Sequence, residues 1–264
     1  MKFPKSMDMY KLPEKIWNKY RRMEASLFGK RSCNMNVTIP FISFTFDDFP
    51  KTAYTIGGNI LNKYGFRGTY YISLGMLNKK LPCGEIADLD ILKNVLLDGN
   101  ELGCHTYSHT DAWEKKIDYF EESIIKNNDT LSVLFPHVNF KTFAYPVGNV
   151  TPDAKRTAEK YFVCSRGGCQ TTNKGTIDLN NLNAYFLDNR KNPTFSSVKE
   201  IIDKNSLEKG WLIFATHGVD DDSSPYGCNK FFFEEVVRYS AKSGSIILPV
   251  IKIYEEIIAK NSNV

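Results

Sequence analysis

Histidine is scarce in this chain, with four in 264 residues. Other things are absent altogether. No window approaches the roughly 18 consecutive apolar residues of a membrane-spanning helix, so no span is expected. The six cysteines, at 33, 83, 104, 164, 169 and 228, form no CxxC pair. A chain of this size needs no covalent staples, so they read as reduced thiols rather than a disulfide framework or a zinc knuckle. Charge of one sign is missing too: 34 Lys+Arg against 30 Asp+Glu leave a net +4. That is too mild and too scattered for a nucleic-acid-binding surface, and no nucleic-acid partner is expected. Met1 to Arg31 carries Lys, Glu and Arg throughout and has no apolar core of a signal peptide, which gives a cytoplasmic expectation. There is no repeat and no low-complexity tract. What remains is ordinary globular composition, 42% hydrophobic and 24% charged, which excludes disordered and fibrous classes.

Residues 1–36 are aromatic and basic without strand periodicity, and read as a helical or irregular N-terminal extension. From Val37 the pattern changes. Strand-like runs at 37–46, 69–74, 101–106, 141–145, 161–165, 182–187, 211–216 and 246–251 alternate with helix-like ones at 53–64, 89–97, 116–134, 153–160, 197–204 and 232–242, with a last one at 254–259. Gly65 and Gly99 stand where the first two helices should stop. Strand-then-helix alternation over this length implies parallel strands with crossover helices, an α/β architecture. The notable polar residues fall just where strands end, and in a barrel those ends share the face on which active sites are built. A barrel over residues 37–264 is therefore the expected fold, with 1–36 set outside it.

Four short stretches carry chemistry. His105-Thr-Tyr-Ser-His109 holds half of the chain's histidines; on a helical turn this spacing puts two imidazoles on one face, able to share a metal ion. The bland alternative is a solvated pair in a loop. Thr45-Phe-Asp47-Asp48 places two carboxylates after an apolar strand, where burial is costly unless something uses them. Strand alternation points neighbouring side chains apart, so one aspartate can complete a His-His-Asp metal set while the other acts as base. By itself an exposed Asp-Asp turn before Pro50 explains the pair as well. Ala215-Thr-His217-Gly ends another apolar strand with a histidine that is either a hydrogen-bonded structural residue or a general acid. Tyr145-Pro146-Val147-Gly148 is a turn of the kind that offers backbone N–H groups to a site.

The order TFDD, HTYSH, YPVG and ATHG, spread over roughly residues 37–255, resembles the polysaccharide deacetylase family, also called the NodB-homology domain or carbohydrate esterase family 4. The resemblance implies a distorted (β/α) barrel of about seven parallel strands, and hydrolytic removal of an N-acetyl or other acyl group from an amino sugar or glycan. It also implies a divalent metal ion, zinc before cobalt, nickel or manganese. Position by position, Asp47 resembles the family's base, Asp48, His105 and His109 its metal ligands, and His217 its acid. Pro146 and Val147 resemble the turn that supplies the oxyanion N–H. Three departures stand out. Many members carry an arginine two residues before the motif proline to brace the base, where this chain has Ala144; Arg166 is the candidate replacement. The Asp-Trp pair of many members is not recognisable, and Ala215 replaces a motif leucine. The acyl pocket is accordingly expected to differ. Alternatives on the same scaffold are an O-acyl esterase, a deformylase, or a catalytically silent glycan-binding barrel.

Overall fold

The computed structural model describes residues 14–262; the part of the N-terminal extension before residue 14 lies outside the described residues. Eight parallel strands make the central sheet: β1 Phe41–Phe46, β2 Thr69–Ile72, β3 Glu101–Cys104, β4 Thr142–Ala144, β5 Cys164–Arg166, β6 Tyr185–Phe186, β7 Trp211–Thr216 and β8 Ile246–Ile247. They run β6-β7-β1-β2-β3-β4-β5, with β8 paired to the start of β1. Every residue of β1, β2, β3 and β7 is buried, as expected of parallel strands covered on both faces. The sheet curls until its edges meet: Gly167 N–H donates to the Leu182 carbonyl at 3.0 Å, and Leu182 N–H to Ser165 at 2.9 Å. Ser165 N–H to Leu179 at 2.7 Å and Gln170 N–H to Ala184 at 3.0 Å extend the same closure, and the result is a distorted barrel.

Around it lie α1 Glu14–Leu27, α2 Asn59–Lys63, α3 Leu89–Leu97, α4 Ile117–Leu134, α5 Pro152–Ala158, α6 Phe195–Glu208, α7 Lys230–Ser240 and α8 Val250–Ser262. Their starts are chemically marked. Asp88, Thr151, Thr194 and Asn229 each accept a hydrogen bond from the first turn of the helix that follows, and Pro152 opens α5. Gly65 and Gly99 sit at φ +76° and +75°, the left-handed conformation that stops a helix and costs glycine least. The phenylalanines of β1 and β7 fill the layer between sheet and helices, Phe44 on Phe214 at 5.3 Å and Phe46 on Tyr70 at 4.8 Å.

Two sequence expectations are corrected. The run 246–251 is a strand only over Ile246–Ile247; helix α8 begins at Val250, after Pro249, which cannot donate to a ladder. The 53–64 helix opens with a π-helical stretch, Ala53–Gly58. The extension is packed against the barrel. Ser32–Asn34 pairs antiparallel with Thr176–Asp178. The fully buried Lys155 ammonium on α5 donates to the carbonyls of Ala25 and Phe28 at 2.7 and 2.8 Å and pairs with Asp178 at 2.6 Å. No described helix is long and apolar enough to cross a membrane.

Candidate active site

Alternation along β1 and its neighbours sends one face of each strand into the barrel, and there the interior is polar. Asp47, just past β1, is 5% exposed and still held in the sheet by its N–H to Thr216. The Arg166 guanidinium, itself 1% exposed, hydrogen-bonds the Asp47 carboxylate. The register explains how a residue from β5 arrives there: Arg166 is the direct partner of Ala144 in the β4–β5 ladder. The arginine thus stands one strand over from Ala144, where the sequence resemblance leads one to expect an arginine. Arg166 packs over the Tyr71 ring at 5.0 Å. Tyr71 in turn lies on Gly103, where a Cβ would come within 2.4 Å of the ring.

Asp48, His105 and His109 converge, with their ligand atoms all within 4.8 Å of one another. The Asp48 carboxylate is 3.6 Å from His105 Nε2 and 3.2 Å from His109 Nε2, and 3.6 Å from His217 Nε2 on its other oxygen. The convergence is not helical, which corrects the expectation for the i,i+4 pair. Residues 105–109 form an irregular loop in which Thr106 and His109 take φ +60° and +52°. Nor does strand alternation separate the two aspartates, since β1 ends at Phe46 and Asp48 is turned away by its own φ of +57°. Left-handed backbone at a non-glycine residue costs of order 1–3 kcal/mol, and such strain gathers at functional sites. Asp48, Phe49, Thr106, His109 and Val147 all carry it, and four of them belong to the motifs singled out from the sequence.

The donor chemistry fits a divalent cation. The Ala144 carbonyl lies 2.7 Å from His105 Nδ1, and a carbonyl only accepts, so Nδ1 holds the proton. Burial, and then the neighbouring His109, push the His105 pKa down to about 3, so the ring is neutral and its Nε2 is a bare acceptor. An acceptor nitrogen aimed at a carboxylate leaves both without a donor; a cation between them satisfies both, with the carbonyl as the outer partner that orients the ring. His217 is set the same way, its Nδ1 3.0 Å from the Tyr226 carbonyl, which leaves Nε2 facing Asp48.

Above this floor opens a cleft of about 800 Å³. Its rim includes the YPVG turn, where Pro146 is buried and Val147 is 66% exposed. Within that turn Gly148 N–H donates to Tyr145 and Asn149 N–H to Pro146; neither bond uses the Val147 N–H. Sequence reasoning missed several lining residues. Cys83 lies beside Asp48, its thiol pKa pushed up to about 12 by burial and then by the Asp48 charge. Arg22, Phe186, Arg190, Lys191 and Tyr226 also face the cleft. None stands in a recognisable motif, and Arg22 comes from the extension that the sequence pattern set apart.

Residues 34–163 match the polysaccharide deacetylase family. Among curated proteins the chain is similar to a gellan lyase of Bacillus sp., 22% identical over 68% of this chain and 7% of that protein. It is also similar to a chitin deacetylase of Arthroderma benhamiae, 36% identical over 30% of this chain and 19% of that protein. The chain thus spans a small part of the curated relatives it matches. Among solved structures, a peptidoglycan N-acetylglucosamine deacetylase superposes with a TM-score of 0.59 at 17% identity, over 84% of this chain and 92% of that one. A family 4 pseudoenzyme from Bacillus anthracis superposes with 0.57 at 11% identity, over 82% and 66%. At these identities the structural likeness establishes the fold.

Proposed function

Starting from a chain that belongs to the polysaccharide deacetylase family, we propose that it is a metal-dependent hydrolase that removes an N-acyl group, acetyl first, from an amino sugar of a glycan or glycan precursor. One observation carries this reading. Five groups from three separate motifs, Asp47, Asp48, His105, His109 and His217, meet at the floor of one cleft, with three imidazoles within 3.6 Å of a single carboxylate.

Asp48, His105 and His109 would hold a divalent ion, zinc before cobalt, nickel or manganese; three protein ligands with open positions are the pattern of catalytic sites. The ion supplies Lewis acidity toward the acyl carbonyl and the attacking water. The chain's own groups do the rest. Asp47, fixed by Arg166, accepts the proton of the water as it attacks the acyl carbon. The N–H of Val147, presented by Pro146, donates to the oxyanion that develops there. His217 delivers a proton from Nε2 to the departing sugar nitrogen, without which an amide does not expel an amine at neutral pH. The proton taken by Asp47 balances the one given by His217.

Acetate release from a panel of N-acetylated amino sugars and oligosaccharides tests the reading. We expect release that stops with a chelator and returns with added divalent ion. No release from any substrate, or release indifferent to the chelator, would refute it.

A further inference from the structure

Charge in the cleft is unevenly divided. Among the described residues, Asp47 and Asp48 on the floor are the only carboxylates that line it, whereas Arg22, Arg190 and Lys191 line its walls. Asp47 is already paired with Arg166, and Asp48 stands among three imidazoles. Above the floor, then, the walls carry cations alone.

The two guanidinium groups lie against aromatic rings, and Lys191 is fixed through its backbone. Arg22 comes from α1, and its guanidinium lies 5.8 Å from the Trp113 ring, beside that of Arg21 at 5.2 Å. Trp113 is itself fixed, donating its indole N–H to the Val150 carbonyl at 2.9 Å, next to the turn that carries Val147. Arg190 is anchored separately, from the barrel segment. It pairs with the fully buried Asp188 at 2.7 Å and lies over the Tyr226 ring at 4.5 Å. Tyr226 is the residue whose carbonyl orients His217. Lys191 follows with its backbone N–H on Asp188. Neither Arg22 nor Lys191 forms an ion pair among the described residues. Two cations without an ion pair among the described residues and a forked guanidinium, all lining one cleft, form a complement to an anion, and planar guanidinium pairs best with phosphate or carboxylate oxygens.

We propose that the substrate of this cleft is an acylamino sugar that also bears an anionic group, a phosphate ester or a carboxylate, seated between Arg22 and the Arg190–Lys191 pair while its acylamino group lies on the floor. The proposal rests on the N-acyl-sugar hydrolase reading and adds the substrate class. It also gives the N-terminal extension a task, since Arg22 is the only one of the three that does not come from the barrel segment.

The test compares three sugars on the metal-loaded full chain: N-acetylglucosamine, N-acetylglucosamine 1-phosphate and N-acetylmuramic acid. Acetate release gives kcat/KM, and calorimetry gives binding. We expect at least one charged sugar to exceed the neutral one by about tenfold or more, a preference that shrinks with added salt because exposed charges are screened. Which charged sugar it is identifies the anion. In Arg22→Ala and in Lys191→Ala the charged-to-neutral ratio should fall by about tenfold, mostly through KM, as for a lost wall charge. Arg190 is left intact, because its removal would strand the buried Asp188. Equal kcat/KM for charged and neutral sugars would overturn the proposal. So would tight binding of the phosphorylated sugar that survives in the Arg22→Ala, Lys191→Ala double variant, which would put the anion on the bound ion. If no sugar releases acetate, the hydrolase reading fails, while calorimetry with the double variant still decides what the wall cations bind.

Discussion

Arg166 stands opposite Ala144 in the β4–β5 ladder and meets Asp47 inside the barrel, and we propose that it is the residue that positions this carboxylate. Replacing Arg166 by Met leaves a buried carboxylate without its partner, and should cost about 3–5 kcal/mol of stability along with most of the turnover. Denaturant melts and acetate release measure the two losses. The discriminating variant restores the guanidinium from the neighbouring strand. Ala144→Arg combined with Arg166→Ala should recover turnover above Arg166→Ala alone, and no recovery would show that Arg166 does more than brace Asp47. His105 makes a second prediction at this scale. Its pKa in the fold is depressed from 6.5 to about 3, so between those values the unfolded chain takes up a proton that the native ring refuses. Its contribution to stability is complete above pH 6.5 and declines as the pH falls, with a slope approaching about 1.4 kcal/mol per pH unit. Melts of the metal-free protein from pH 7.5 to 5 should show this loss, and His105→Asn should flatten it.

Among the elements, the strand ends define the site and Glu101 ties their opposite ends together. This carboxyl, fully buried at the start of β3, accepts from Thr69 of β2 at 2.8 Å, from Thr142 of β4, and from the Ile251 N–H of α8 at 3.0 Å. Burial raises its pKa, so raising the pH through its titration range weakens the fold. Glu101→Gln keeps the shape and the acceptor for Ile251, and Thr142 can reverse its hydroxyl to accept. It should stay within about 1–2 kcal/mol of the parent and remove that part of the pH dependence. Glu101→Ala strands three donors and should cost about 3 kcal/mol or more. Chemical denaturation across pH 5 to 8 checks both. The elements are legible in the sequence where the signal is local: apolar runs and Gly99 give Trp211–Thr216 and Leu89–Leu97 with the bounds they have in the fold. The shape of the His105–His109 loop was not legible. The i,i+4 spacing suggests a helical turn, whereas the observed loop depends on left-handed backbone at Thr106 and His109 that the surrounding strands impose and that no propensity of those residues foretells.

At the scale of the whole molecule, the described part of the extension is joined to the barrel by Lys155, whose buried ammonium holds the C-terminal end of α1 and pairs with Asp178. Lys155→Met should loosen α1, lower stability by about 3 kcal/mol, and expose the 14–35 segment to proteolysis; an unchanged digestion pattern would contradict this. Residues brought together by long-range packing, such as Arg22 and Lys191, or the Ala144 and Tyr226 carbonyls that orient His105 and His217, leave no trace in a sequence pattern. The candidate residues stand out because histidine is scarce and because the Asp47-Asp48 pair follows an apolar strand. The central claim divides them in two: Asp48, His105 and His109 hold an ion, while Asp47 and His217 move protons. Metal content and acetate release, measured side by side on Asp47→Asn and His217→Ala, test that division most directly. The account predicts one divalent ion per chain in both variants, with kcat lowered by about two to four orders of magnitude. Loss of the ion in either variant, or near-normal turnover in both, would contradict it.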